Sequence, residues 1–175
     1  SLRATAYRTY ADLTLTFPEG VCAITGELAG EPGKSNGSGK SSIANAIDLA
    51  LFGAQSRSLA DEHNPAFGDT MTLELVFEHA GETYRVRRTY SAKGRGSTTV
   101  DLERRWASST ENGHGQTAST AHSEGWEALS RESAAATQEH LESILGLSRP
   151  TFRASSFLAQ GDGAAFTNAQ PRQRK

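Results

Sequence analysis

The chain has 175 residues, 36% hydrophobic and 7% aromatic, which is lean but enough for one lobe with a real core and excludes a wholly disordered chain. Its net charge of -2, from 18 Lys+Arg against 20 Asp+Glu, gives no nucleic-acid footprint by charge alone, so any DNA contact must come from local patches or from parts outside the chain. The single cysteine, Cys22, excludes an intrachain disulfide and fits a reducing cytosol, and no apolar run approaches the roughly 18 to 20 residues that span a bilayer.

The first stretch, Leu2–Tyr10, leads into Asp12–Phe17, where apolar and polar residues alternate as in a half-buried strand. Pro18-Glu-Gly20 forms a turn. Val21–Thr25 is a short, nearly continuous apolar run, expected to be a strand buried on both faces with Cys22 in the core. A glycine-rich segment, Gly26–Gly39, follows. Lys40–Gly53 then reads as a helix, because Ile43, Ala46, Ile47, Ala50 and Leu51 fall on one face and Gly53 stands at the C-terminal end.

Met71–Phe77 and Thr83–Tyr90 alternate again, joined by a hairpin turn at Glu78–Glu82, and Ser97–Trp106 adds another strand. The middle of the chain is therefore expected to form an antiparallel sheet. Residues 107–125 are polar and aperiodic, as in a mobile surface loop flanked by Trp106 and Trp126. Trp126–Leu145 reads as helical, Pro150–Ala154 as a turn or short helix, and Ser155–Leu158 as a short strand. The polar tail is expected to start another helix. A chain that opens without Met and stops at Gln173-Arg-Lys175 reads as a piece excised from a longer polypeptide.

Asn36-Gly-Ser-Gly-Lys-Ser-Ser42 carries the chemistry. Gly37 and Gly39 let successive backbone N–H groups turn inward as an anion nest, with Ser38 between them. The helix that begins at Lys40 adds its positive end. In this pattern Lys40 reaches the β- and γ-phosphates of a nucleotide, and the Ser41 hydroxyl holds Mg²⁺, with Ser42 following in the first turn. The spacing departs from the usual one. A phosphate loop has a glycine five residues before its Gly-Lys pair, and here that position is Lys34. The glycine directly after the apolar run is Gly26, and nine residues, 27–35, separate it from Asn36 where one is usual. Either the extra residues bulge outward and the nest survives, or the nest is distorted; the intact spacing of Asn36–Ser42 favours the bulge. Gly30–Ser35 imitates a second phosphate loop but is too short, and reads as a decoy.

Three motifs in order resemble one family. Ala6–Asp12 followed by Phe17-Pro-Glu-Gly20 is similar to the opening of SbcC-type ATPases, relatives of the SMC proteins. Asn36–Ser42 with Ala46-Ile47 and Leu51-Phe52-Gly53 is similar to their phosphate loop and first helix. Leu145–Phe152 with Ser156–Gly161 and Phe166 is similar to the segment that holds their Q-loop glutamine. The resemblance implies an α/β fold: the N-terminal lobe of an ABC/SMC-type ATPase head spanning residues 1–175, with a mixed sheet, a P-loop helix and an antiparallel β subdomain. It implies ATP and Mg²⁺ as cofactors. Gln160 then touches Mg²⁺ and the attacking water, Arg8 lies near the phosphates or base, and Asn64 approaches the nucleotide. The bland readings are a solvated arginine for Arg8 and a turn residue before Pro65 for Asn64.

Two parts of a working ATPase are missing from the sequence: a strand ending in Asp-Glu, and a Ser-Gly-Gly signature loop. The resemblance implies that a C-terminal lobe of the same polypeptide supplies both, after a coiled coil that starts beyond about residue 170. It further implies a homodimer of heads closing over two ATPs, a partner nuclease of the SbcD type, double-stranded DNA as substrate, no membrane, and a bacterial cytoplasmic, nucleoid-associated location. The isolated piece is expected to bind nucleotide weakly and not to hydrolyse it. Other SMC- or RecF-like DNA ATPases share these motifs. A small-molecule kinase would need its own acidic metal ligand and an arginine-rich lid, and a non-enzymatic module would have lost ATP binding through the altered loop. Arg85, Arg87, Arg88, Lys93, Arg95, Arg104 and Arg105 gather on neighbouring strands, as a DNA-facing surface or as a solvated face balanced by Glu74, Glu78 and Glu103.

Overall fold

The computed structural model describes residues 1–27, 30–31, 33–54, 58–107 and 124–156. Strands β1 (Leu2–Tyr7) and β2 (Tyr10–Leu15) lead to helix α1 (Lys40–Phe52). Two 3-10 turns, Leu59–Asp61 and Pro65–Phe67, precede β3 (Thr70–His79), β4 (Glu82–Ser91), β5 (Ser97–Ala107) and β6 (Glu124–Ala128). Helices α2 (Ala134–Leu145) and α3 (Arg149–Ser155) follow. The strands form one six-stranded sheet in the order β2-β1-β3-β4-β5-β6, and every pairing among them is antiparallel.

Strict alternation builds the core. Met71, Leu73 and Leu75 of β3 point inward beside Leu2 and Ala4 of β1, Val86 of β4, and Val100 and Leu102 of β5. This face is covered by Ile43, Ala46, Leu49 and Ala50 of α1 and by Leu141 of α2. The expected helix after the glycine loop and the expected hairpin are thus present, with Ala80-Gly81 at the hairpin tip in left-handed conformation (φ 51° and 81°).

Several expectations are corrected. Val21–Thr25 forms no strand, and the run is exposed, with Val21 fully accessible and Cys22 on the surface rather than in the core. A strand buried on both faces needs a ladder partner and two covering layers; the described residues provide neither, so the apolarity of this run is a demand for neighbours that they do not meet. Trp126 opens no helix. Residues 124–128 pair with β5, Trp126 opposite Arg105, and the helix starts only where Ser133 caps it by accepting from the Ala136 N–H. Ala107 and Gly125, expected in a surface loop, belong to these strands, and the intervening 108–123 lie outside the described residues. Ser155 ends a helix, not a strand: Ser148 caps α3 and Pro150 sits in its first turn, where its missing N–H is harmless. Phe157–Leu158, Gln160 and the tail lie outside the described residues.

Leu73 has no accessible surface. Leu73→Ala is expected to lower unfolding stability by about 2–5 kcal/mol, read from the urea midpoint of the purified chain.

Candidate functional site

The motif glycines adopt the conformations that a nest requires, Gly37 at φ 85° and Gly39 at φ 90°. Gly39 could carry no side chain for a second reason. A Cβ there would stand 2.5 Å from the Tyr10 hydroxyl and 2.9 Å from Thr9 Oγ1, both in the β1–β2 corner that backs the loop. Gly39 also takes the N-cap position of α1, with no side-chain cap and no acidic residue in the first turn. The positive end of the helix is therefore left for an external anion. Buried Tyr7 fixes that end by donating from its hydroxyl to the Ser42 carbonyl at 3.2 Å, and burial pushes its phenol well above the usual range.

A cleft of about 550 Å³ opens over this corner. Asn36, Gly37 and Gly39–Ser42 line it, so the structure brings the motif together except for Ser38. Two further wall residues, Thr9 and Ser35, were not anticipated. Ser38 turns away and donates to the Ser35 carbonyl at 2.8 Å. Lys40 Nζ donates to the same carbonyl and, at 3.0 Å, to Ser38 Oγ. Its partners here are neutral, so a phosphate oxygen would add the counter-charge that they lack. The decoy stays closed: Lys34 Nζ pairs with Glu31 at 2.5 Å, and its N–H returns to the Glu31 carbonyl at 3.1 Å.

Arg8 and Asn64 lie off the cleft wall. Arg8, at φ 49° in the β1–β2 turn, forks onto Glu62, with Nη2 donating to Oε1 at 3.1 Å. That hydrogen bond holds its guanidinium pKa above the ordinary value. Asn64 caps the 3-10 turn Pro65–Phe67 and donates to the Arg8 carbonyl. Together they fasten residues 58–68 to the turn that carries Thr9 to the cleft. Gln160 lies outside the described residues.

Sequence reasoning missed a second set of polar residues around α1. Arg88 is 4% exposed and donates to the last carbonyls of α1, to Ala50 at 2.8 Å and Leu51 at 3.2 Å, and to Gln138 of α2. Burial, helped by the charge of Arg149, pulls its pKa down to about 10, so it stays protonated at neutral pH. Asp48 of α1 is 2% exposed and receives Arg149 and Arg153 from α3. The signal for Arg88 was present in the sequence, since it shares a strand face with Tyr84, Val86 and Tyr90 rather than with Arg85 and Arg87.

The outer sheet face is an ion-pair lattice. Arg85 meets Glu103 at 2.5 Å and Arg87 meets Glu74 at 2.6 Å, while Arg85 also lies over the Trp126 ring at 4.2 Å. On the opposite face, beyond the core, Arg104 meets Glu127 at 2.7 Å. The bland reading of these arginines is therefore the one their geometry supports, because each already has its counter-charge.

The AAA domain family model matches residues 1–175. The chain belongs to the AAA domain family. Within curated proteins it is similar to a subunit of the nuclease SbcCD from Deinococcus radiodurans, 33% identical over 142 residues that are 79% of this chain and 14% of that protein. It is similar to the "DNA double-strand break repair Rad50 ATPase" of Thermoplasma volcanium, 28% identical over 177 residues, 99% of this chain and 16% of that protein. The Rad50 ATPase of Methanocaldococcus jannaschii is 28% identical over 173 residues, 99% of this chain and 14% of that protein. The matches fall on the N-terminal part of these proteins, so this AAA domain spans about a seventh of their length.

Gly39→Ala forces an L-residue into left-handed backbone against Tyr10 and Thr9. A loss of about 1–3 kcal/mol is expected, measured by urea unfolding, with Gly20→Ala as the control: it has a similar φ but open space around its Cβ.

Proposed function

We propose that this lobe binds Mg-ATP in the cleft of Asn36–Ser42, as the N-terminal part of a DNA double-strand-break repair ATPase. The observation that carries the reading is the convergence in one cleft of two left-handed glycines, an uncapped helix start and the Lys40 ammonium. The nest would supply backbone donors to the phosphates, Lys40 would exchange its neutral partners for the β- and γ-phosphates, and the Ser41 hydroxyl would hold Mg²⁺. By motif, Gln160 would contact the metal and the attacking water. ATP hydrolysis then needs an acidic strand and a signature loop from a C-terminal lobe of the same polypeptide. The exposed apolar residues Val21 and Ile24, which precede the phosphate loop in the chain, support such a covering lobe.

In the complete protein, two heads close over two ATPs and gate DNA access for a nuclease partner of the SbcD type. The names of the relatives, a nuclease subunit and break-repair ATPases, support DNA and a nuclease as partners. The paired charges on the outer sheet face turn the expected DNA contact away from Arg85 and Arg87, and Arg104 on the opposite face is paired as well.

Titration with a fluorescent ATP analogue and Mg²⁺ tests the site. Saturable binding is expected, weakened by about tenfold or more in Lys40→Ala, which corresponds to about 1.4 kcal/mol or more. No turnover is expected from the isolated chain, and Lys40-dependent hydrolysis by it would overturn the split-head reading. Deleting residues 27–34 restores the usual spacing between Gly26 and Asn36. Affinity is expected to stay within about threefold, because the Lys40 anchor, Ser35, is retained. Loss of binding on deletion would show instead that the insertion is part of the site.

A further inference from the structure

Arg88 differs from the other arginines in its partners. Arg8, Arg85, Arg87 and Arg149 each end on a carboxylate, whereas Arg88, at 4% exposure, reaches none among the described residues. Its Nε serves the Ala50 carbonyl, and its Nη2 serves the Leu51 carbonyl and Gln138 Oε1. The Glu142 carboxylate that acts on it from α2 is itself held by Gln138 Nε2 at 2.8 Å, and Arg149 adds a second positive charge nearby. A buried guanidinium in such surroundings is short of counter-charge, because helix-end carbonyls supply only a partial one.

One nitrogen of Arg88 is left over. Nη1 donates to none of the described residues, yet it is not sealed from solvent. Arg88 and Gly53 both line a cavity of about 360 Å³ at the C-terminal end of α1. Gly53 lies beside Nη1, since a Cβ there would stand 3.3 Å from it. The cavity is therefore the space that the Nη1 hydrogens can serve. Its volume falls within the range of small-molecule sites, roughly 300–1,000 Å³. Phe52, Leu59 and Val100 give it an apolar wall, Ser58 and Thr98 add hydroxyls, and no carboxylate is among its described lining residues. Ser58 Oγ accepts from the Ala60 N–H at 2.9 Å, which leaves its hydrogen for another acceptor.

We propose that this cavity binds a small organic carboxylate, with its oxygens on Arg88 Nη1 and the Ser58 and Thr98 hydroxyls and its apolar body against Phe52, Leu59 and Val100. Donors without acceptors select an anion, and the apolar wall selects one with a hydrocarbon part over a bare inorganic ion. The site lies at the opposite end of α1 from the phosphate nest, since Lys40 and Phe52 are twelve residues apart, about 18 Å along the axis. It stands independently of the Mg-ATP reading.

The test titrates the complete polypeptide carrying this lobe with acetate, hexanoate and benzoate, each beside its neutral amide, by calorimetry and by Tm. Saturable binding is expected for hexanoate or benzoate, with a raised Tm and an affinity about tenfold or more above that of the matching amide and above that of acetate. Arg88→Lys keeps a charge but removes Nη1, and is expected to weaken the carboxylate about tenfold. Because Arg88 also ties α1 to α2, a second variant leaves it in place: Ala134→Phe fills the cavity from the start of α2, and should abolish binding with the unliganded Tm little changed. Lys40→Ala should leave carboxylate affinity within about threefold. Binding lost in Lys40→Ala would place the anion in the Asn36–Ser42 cleft and overturn the proposal. So would carboxylates that bind no tighter than their amides, or that bind Ala134→Phe as well as the unaltered protein.

Discussion

Three polar contacts hold α1 at its start, middle and end: Tyr7 on the Ser42 carbonyl, Arg149 and Arg153 on Asp48, and Arg88 on the carbonyls of Ala50 and Leu51. The apolar face of the helix presses on the sheet through small and branched side chains that would tolerate a slide or a twist. The polar contacts do not, because each has a direction. They come from β1, α3 and β4, so the helix that begins at the phosphate nest is oriented by elements from both halves of the chain. The aim of the Gly39, Lys40 and Ser41 amides follows from that orientation.

The same contacts account for an otherwise costly choice at Arg88. A guanidinium in the core loses hydration, and this one donates to two carbonyls and the Gln138 amide oxygen rather than to a carboxylate. The C-terminal end of α1 offers a partial negative charge, and Gln138 is held in turn by Glu142 at 2.8 Å and by the Leu51 carbonyl at 3.2 Å. Gly53 follows at φ 70°, and a Cβ there would stand 3.3 Å from Arg88 Nη1. The Leu51-Phe52-Gly53 ending thus has a local reason: the glycine leaves room for the arginine that caps the helix.

Where periodicity was long and its partners lay nearby in the chain, the fold was legible. The β3–β4 hairpin and α1 follow from alternation, the helical face and their glycines. The sequence was misleading where the outcome depends on distant partners. Val21–Thr25 has the composition of a buried strand, but a ladder is made by two strands, and composition names only one of them. Trp126 fits a helical pattern as well as a strand; its opposition to Arg105 and its stacking on Arg85 come from β5 and β4, some twenty and forty residues upstream. At the candidate site, the left-handed turn at Gly37 and Gly39 and the helix start at Lys40 were legible because they are local backbone chemistry. Thr9, Ser35 and the Asp48 cluster were not, since nothing in a linear reading places residue 149 against residue 48.

The insertion shows how far local geometry can carry a motif whose spacing is wrong. A phosphate loop needs its amides aimed inward and its lysine held over them; it does not need a particular path between the preceding segment and the asparagine. Here Ser35, the last inserted residue, offers its carbonyl to Lys40 Nζ, to Ser38 Oγ and, at 3.4 Å, to the Ser38 N–H. Three donors gathered on one carbonyl close the turn from inside. Upstream, Gly26 lies directly against Ser38, where a Cβ would meet Oγ at 2.7 Å. Gly26 and Ser35 therefore converge on Ser38. Closure entropy rises only slowly with loop length, and Ser35 and Gly26 meet the Asn36–Gly39 turn from either side.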